Sequence, residues 1–452
     1  MADGESPHNI EGSGAAPEGS GTSAWQSRDF RFYQSARLLG VLGSEAQSVG
    51  VAWQVYQLTH SALALGYTGL ALFLPGLVFV LPAGHVADHY DRRAIILTCY
   101  TVQALATIAL LWLSLHGIGH IWPVYGILFL IGTGRCFSGP AASAMMPTLV
   151  PKEHFVNAVT WGATIFQIAN ATGPMFGGLL FSLSLTSIFN GRFVSLNGAP
   201  LVYCFTLLCL CTFLALVGTL SPRPMANDVR KAFTIDTLLA GLRYVGSTRL
   251  LLGSISLDLF AVLLGGAVAL MPVFAHDVLH VGANGLGLLR AMPSIGALSV
   301  SLLLLVFPLR RRAGRLMLAC VGLFGAATVI FGLSTNVYLS CASLVIIGAS
   351  DMVSVVVRSS ILQLATPPEM RGRVSAVNWL FLGASNELGE YESGLTAHWW
   401  GAVRAVVAGG VASMVVTGLW SVFFPALRGA DRLTTESLTA AEREFSDAEP
   451  IN

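Results

Sequence analysis

Nine ionisable side chains stand inside stretches that are otherwise apolar: Glu45, Arg135, Asp258, Arg290, Asp351, Arg358, Glu387, Glu390 and Glu392. At the centre of a bilayer each costs about 2.5–3.5 kcal/mol on insertion scales, so such residues pair, line a cavity or work. Two chemistries are open to them. A carboxylate and an arginine at one depth can form a pair that fixes helix register. A carboxylate without a partner in low dielectric favours its protonated form and can carry a proton. Glu45, Asp351 and Glu387 are the expected proton carriers.

Other chemistries find no residues. The only lysines, Lys152 and Lys231, follow Pro151 and Arg230, so no Gly-Lys-Ser/Thr phosphate loop exists. Neither His-Glu-x-x-His nor Gly-x-Ser-x-Gly occurs, and the seven cysteines lie in apolar stretches without a Cys-x-x-Cys pair. No enzyme activity, cofactor or metal is expected. Transport against a gradient would then draw on an ion gradient.

The elements that must hold these charges are membrane helices. Of the 452 residues 54% are apolar and 11% charged, against roughly 25% charged in a soluble domain. A helix needs about 20 apolar residues to cross the hydrocarbon core. The sequence predicts twelve such spans, at about 33–58, 64–87, 94–116, 121–146, 156–183, 200–220, 250–276, 283–308, 314–334, 337–364, 374–398 and 402–424. The fold class is therefore all-α and integral to the membrane, with two six-helix bundles. Twenty of the 25 Lys and Arg residues fall on one side of these spans, and only Arg192 and Arg404 on the other. The basic side is cytoplasmic by the positive-inside rule, which puts both termini inside a cell (inner) membrane.

The chain divides into a disordered tail (1–27), a first bundle (28–220), a cytoplasmic linker (221–249), a second bundle (250–427) and a solvated tail (428–452). In the linker, Leu238, Leu239, Leu242 and Val245 predict a short amphipathic helix on the membrane surface. The bundles repeat. Gly132-x-x-Arg135, Pro151-x-Glu153 and Gly173-x-x-x-x-Gly178 recur as Gly348-x-x-Asp351, Pro367-x-Glu369 and Gly389-x-x-x-x-Gly394, each 216 residues further on. Such duplication places a substrate site between the halves near the midplane. By depth, Asp258 matches Arg358, and Arg290 matches Glu390 or Glu392. Asp351 and Glu387 have no evident partner.

Two motifs carry a resemblance. Gly84-His85-Val86-Ala87-Asp88-His89-Tyr90-Asp91-Arg92-Arg93 resembles the signature loop of the major facilitator superfamily, Gly-x-x-x-Asp-x-x-x-Arg-Arg/Lys, except that Asp91 stands where the family usually has Gly. The resemblance implies a gate loop in which Gly84 allows close helix approach and Asp88 caps a helix across the halves, with Arg92 and Arg93 anchoring at the anionic leaflet. Ala169-x-x-x-Gly173-Pro174-x-x-Gly177-Gly178 resembles the antiporter motif of that superfamily, whose members often have Gly at the place of Ala169. It implies tight packing against the other half, and export rather than import. The segments 269–275, 370–378 and 384–390 are similar to the enterobactin-exporter branch, also called transmembrane secretion effectors, and the likeness runs from about residue 25 to 432. In that arrangement Glu45 and Arg135 share the central cavity, and Arg135 matches an arginine of proton-coupled antiporters.

The expected function is a monomeric, proton-driven antiporter expelling a siderophore or drug by alternating access. Its partners would be a small-molecule substrate, the proton gradient and the lipid bilayer, with no nucleic acid. An importer or lipid-moving protein on the same fold is the first alternative. A non-transporting membrane receptor is the second.

Overall fold

A computed structural model describes residues 23–430, except 190–191, 222–234, 308, 310–311 and 368. Helix α1 (Arg28–Thr59) starts where the Ser27 hydroxyl accepts from the Phe30 amide, and stops at His60 in the left-handed region (φ 46°). Ser61 caps α2 (Ala62–His89) in the same way. Asp91 caps α3 (Arg92–His116) by accepting from the Arg93 amide at 3.0 Å. Then come α4 (Trp122–Met145), α5 (Phe155–Ser182), a hairpin of β1 (Ser184–Phe189) and β2 (Arg192–Asn197), and α6 (Ala199–Gly218).

The second half begins with α7 (Ile235–Ser247) and continues through α8 (Arg249–Leu264), α9 (Ala267–Val273) and a π-helical turn (Phe274–Val278). Helices α10 (Gly282–Val306), α11 (Ala313–Leu333), α12 (Val337–Leu364), α13 (Arg371–Trp400), α14 (Ala402–Phe423) and α15 (Pro425–Gly429) complete it. Helices α8 and α9 form one crossing, interrupted at Gly265-Gly266, so the twelve expected spans are all present. Eight stretches are long and apolar enough to cross a membrane by that measure alone. The other four, α1, α4, α5 and α13, have 24–32 residues, enough to cross, but a more polar composition. Three of these four carry the charges between the halves.

The internal repeat appears as equivalent packing. Gly132 on α4 lies against the Leu72 backbone of α2, and Gly348 on α12 against the Pro293 backbone of α10. A Cβ on Gly173 would stand 3.0 Å from the Leu42 carbonyl of α1; one on Gly389 would stand 3.1 Å from the Leu263 carbonyl of α8. The second glycine of each motif packs across the halves instead. A Cβ on Gly178 would meet Ala283 O at 2.5 Å and Gly287 Cα at 2.9 Å, and one on Gly394 would meet Ala62 O and Gly66 Cα, both at 2.8 Å. Backbones this close leave no room for a side chain. Helix α5 thus lies along α10, and α13 along α2.

Those contacts sit at one end of the bundle. With crossings alternating in direction, α1 starts and α14 ends on one face, here called proximal; the opposite face is distal. One buried cluster at the distal side runs through both halves, from Val49, Trp53 and Leu128 to Leu270, Phe274 and Leu286. Toward the proximal side the core splits into one cluster for each half, around Phe30, Ile96 and Phe213 and around Leu251, Met317 and Leu427. The halves are sealed distally and separate proximally.

Three expectations change. Helix α7 packs on the second bundle: Val245 is buried, Leu242 partly so, and Gly241 sits on the Arg373 backbone of α13, while Leu239 stays exposed; the side chain of Leu238 lies outside what is described. Strands β1 and β2 pair antiparallel between α5 and α6, where the sequence carried no expectation. Both tails are shorter than expected. Ala24 is buried and Trp25 stacks edge-on with Phe30 and Trp161, while Ala430 is buried and accepts from the Gly314 amide at 3.0 Å. The remainder, 1–22 and 431–452, lies outside the described residues.

Gly177→Val should lower stability by about 1–3 kcal/mol, because its Cβ would meet the Ala46 carbonyl at 2.6 Å. Gly418→Ala, with nothing within 4 Å, should not. Thermal unfolding of the purified proteins in detergent compares them.

Candidate functional site: a charged cavity between the halves

Just proximal to the shared core lies a cavity of about 190 Å³, walled by α1, α2, α4, α9, α10 and α13. Five of the nine intramembrane charges line it: Glu45, Arg135, Arg290, Glu387 and Glu390. Glu45 and Arg135 come from the first half, and the other three from the second. Glu390 is in electrostatic reach of Arg290, Arg135 and Glu45, and Glu387 of Glu390 and Arg135. No two of the five form an ion pair within 4 Å among the described residues. They form a loose set of three carboxylates and two guanidinium groups, spaced around a void.

Local packing explains each position. Gly173 sits against Glu45, with an added Cβ only 2.5 Å from Glu45 Cβ, so this motif glycine makes room for the carboxylate. Gly69 does the same for Glu390, whose Oε2 would lie 2.6 Å from a Cβ there. Arg290 donates to Ser48 Oγ at 2.9 Å, bridging α10 to α1. Arg135 is solvent-exposed on the cavity side. Glu387 Oε2 is buried and has no hydrogen-bond partner. Gly69, Ser48 and Gln47 were not singled out from sequence; only Ser48, three residues from Glu45, lies at a spacing that signals it.

The remaining site residues go elsewhere. Arg358 donates to Asp258 in a pair that is 3% exposed on both sides, inside the second half and away from the cavity. Asp351, expected without a partner, is in electrostatic reach of both. The expected pairing of Arg290 with Glu390 or Glu392 is corrected: Glu390 shares the cavity without direct contact, and Glu392 is not in its wall. Two residues on an α-helix turn the side chain by about 200°, which carries Glu392 away.

Both motifs are also revised. Gly173 and Gly177 pack on α1 of their own half, and only Gly178 and the Pro174 carbonyl meet the other half, at Gly287. Gly84 and Asp88 lie within α2 rather than in a loop, and the side chain of Asp88 lies outside what is described. Arg92 donates to the Ala144 carbonyl at 2.8 Å, and Arg93 to those of Val217 and Gly218. The two arginines thus tie the proximal ends of α4 and α6 to α3.

The sequence matches the transmembrane secretion effector family over residues 20–446. The chain belongs to that family. It is similar to the enterobactin exporter EntS of Citrobacter koseri and of Shigella dysenteriae, each 26% identical over 396 residues that cover 85% of this chain and 86% of the relative. Among solved structures it resembles a bacterial homologue of the lysosomal transporter Spinster in an inward-facing, unoccupied conformation (TM-score 0.65, 16% identity, 92% of this chain and 99% of that one). It also resembles a POT family transporter in complex with 5-aminolevulinic acid (TM-score 0.67, 11% identity, 89% and 97%). These likenesses establish the major facilitator fold. The family member described here is a multi-pass membrane transporter and not an enzyme.

Asp258→Asn should cost the transporter about 3–5 kcal/mol, because it leaves Arg358 buried without its counter-charge. Replacing both, as Asp258→Leu with Arg358→Met, should restore most of that. Thermal unfolding of the three proteins tests it, and equal stability of Asp258→Asn and the parent would refute the dependence.

Proposed function

We propose that this transporter is a proton-coupled antiporter of the inner membrane, exporting a small amphipathic compound by alternating access. The observation that carries the reading is the cavity in which Glu45, Glu387 and Glu390 face two arginines from opposite halves. An arginine keeps its charge at any working pH. Two of the three carboxylates are needed to balance Arg135 and Arg290, and the third is left to gain or lose a proton. Glu387, with a buried oxygen lacking a partner, suits that role. Glu45 and Arg135 remain part of the coupling set.

The second buried group, Asp258, Asp351 and Arg358, serves a different part of the cycle. The Asp258–Arg358 pair holds α8 against α12, and Asp351 is a further candidate proton carrier beside it. The distribution of Lys and Arg makes the proximal face cytoplasmic, with both termini inside. The cavity is then open to the cytoplasm and sealed toward the outside, the state in which an exporter loads. Rocking of 28–220 against 250–427 would expose the same cavity outward. The similarity to enterobactin exporters and the glycine-rich α5 support export, with a siderophore or a drug-like amphipath as cargo and a monomer as the working unit.

Inside-out vesicles test this directly. Accumulation of enterobactin, or of a panel of amphipathic compounds, should require an acidic lumen and collapse with a protonophore. Glu45→Gln, Arg135→Gln and Glu387→Gln should each reduce the gradient-driven rate at least tenfold at normal protein levels. Full rates in all three variants would remove the cavity charges from the mechanism.

A further inference from the structure

The distal seam contains a second polar cluster, separate from the cavity. Tyr56, near the end of α1, donates its hydroxyl to Asp277 Oδ2, and His276 Nδ1 lies against the other carboxylate oxygen. Tyr56 is buried, whereas His276 and Asp277 are 40% and 46% exposed, so the bond lies at the rim where the seam meets water. The His276 ring is 5.8 Å from Trp53, 5.6 Å from Tyr56 and 5.7 Å from His60, all on the first half. His60 is also in electrostatic reach of Asp277. A ring from one half and a carboxylate from the other thus meet at the rim beside aromatic side chains of both.

Backbone geometry aims Asp277 at this point. The chain leaves α9 in a π turn, with Leu279 donating to the Phe274 carbonyl at 2.8 Å and Val281 to Ala275 at 2.9 Å. A π turn swings side chains out of α-helical register and is often found at functional sites. Phe274, at its start, is fully buried and stacked on Phe331 at 4.7 Å, so the turn is braced from within its own half. The rest of the seam is of another kind. Gly178 with Gly287 and Gly66 with Gly394 are close backbone contacts, which hold by dispersion and can slide. Among the described residues two further side-chain bonds cross it, Arg290 to Ser48 and Ser182 to Asn284 at 2.7 Å. Tyr56–Asp277 and Arg290–Ser48 each have an ionised member, which strengthens a hydrogen bond; Arg290–Ser48 borders the cavity, so Tyr56–Asp277 is the charged bond at the distal rim.

We propose that the Tyr56–Asp277 bond, steadied by His276, is the latch that keeps the distal face closed, and that it must break each time the cavity opens to that side. Tyr56 and Asp277 are positioning residues: they touch neither cargo nor the cavity charges, but set how often the transporter visits the distal-open state. Losing the bond releases the two halves at the rim while their cores stay intact. The inference rests on distal closure alone and goes beyond the proton-coupled reading; it stands even where no proton is exchanged.

The test is labelling of Thr68→Cys, a half-buried cavity-wall position on α2, with a membrane-impermeant maleimide. The reagent is applied to right-side-out and inside-out vesicles, with the parent protein and its seven native cysteines as the blank. With the latch intact, Thr68→Cys should label fast from the proximal face and slowly from the distal one. Tyr56→Phe and Asp277→Ala should each raise the distal rate about tenfold and lower the proximal rate. The two together should do no more than either alone, because they break one bond. Unchanged distal labelling in both variants would overturn the latch. So would an equal rise from both faces, which would mark a bond that only stabilises the fold. Because Phe keeps the ring of Tyr56 in place, failure to fold is not expected to mask the result.

Discussion

An arginine cannot shed its charge inside a bilayer, and a carboxylate there can do so only by taking up a proton. Everything polar in this chain is arranged around that asymmetry. Of the three arginines deep within the apolar spans, Arg358 is enclosed with Asp258 and cannot reach the cavity. Arg135 and Arg290 face it from opposite halves, with three glutamates spaced about them. The helices α1, α4 and α13 are more polar than ordinary spans because they supply four of those five groups. Their polar faces are tolerable because they turn toward one another, while the exposed surfaces of α2, α3 and α14 carry Leu, Ile, Trp and Val.

A second constraint, close approach, decides where the halves touch. Without a hydrophobic force between helices in lipid, association rests on packing, and packing tightens where side chains are absent. The glycine motif on α5 and its copy on α13 each divide their labour in the same way. The first glycine seats the helix on its own bundle, at Leu42 or Leu263, and the second meets the other bundle, at Gly287 or Gly66. Two equivalent contacts on either side of the central axis make the distal seam nearly symmetric. At the 216-residue offset Pro272 and Ser61 stand in place of Tyr56 and Asp277, so among the described residues the bond has no copy and the symmetry ends there.

Much of this was legible in the sequence, for physical reasons that also mark where legibility stopped. Hydropathy finds spans because a bilayer admits little else, and the expected edges agree with the helices to within a few residues, as for 337–364 and α12 (Val337–Leu364). Depth along a helix found the Asp258–Arg358 pair. It failed for Glu392, because depth carries no azimuth: Glu390 and Glu392 lie at nearly one level but point about 200° apart. The amphipathic helix expected from Leu238, Leu239, Leu242 and Val245 packs Leu242 and Val245 into the second bundle while Leu239 stays exposed, and periodicity does not say which apolar partner is present. Tyr56 and Asp277 stand 221 positions apart, and nothing in their local sequence pairs them. Only the π turn brings them together.

The cavity and the seam are not independent. Glu390 presses its carboxyl against Gly69, three residues along α2 from Gly66, which meets Gly394 on the same helix as Glu390. Arg290 stands on α10 three residues from Gly287 and reaches Ser48 on α1. A change of charge at Glu390 therefore acts within one helical turn of each glycine contact that closes the distal face. Between the halves such a change alters the interaction among Glu390, Arg290 and Glu45 more than it would in bulk water. A proton or a cargo group in the cavity needs no long pathway to reach the seam. The same two helices carry both.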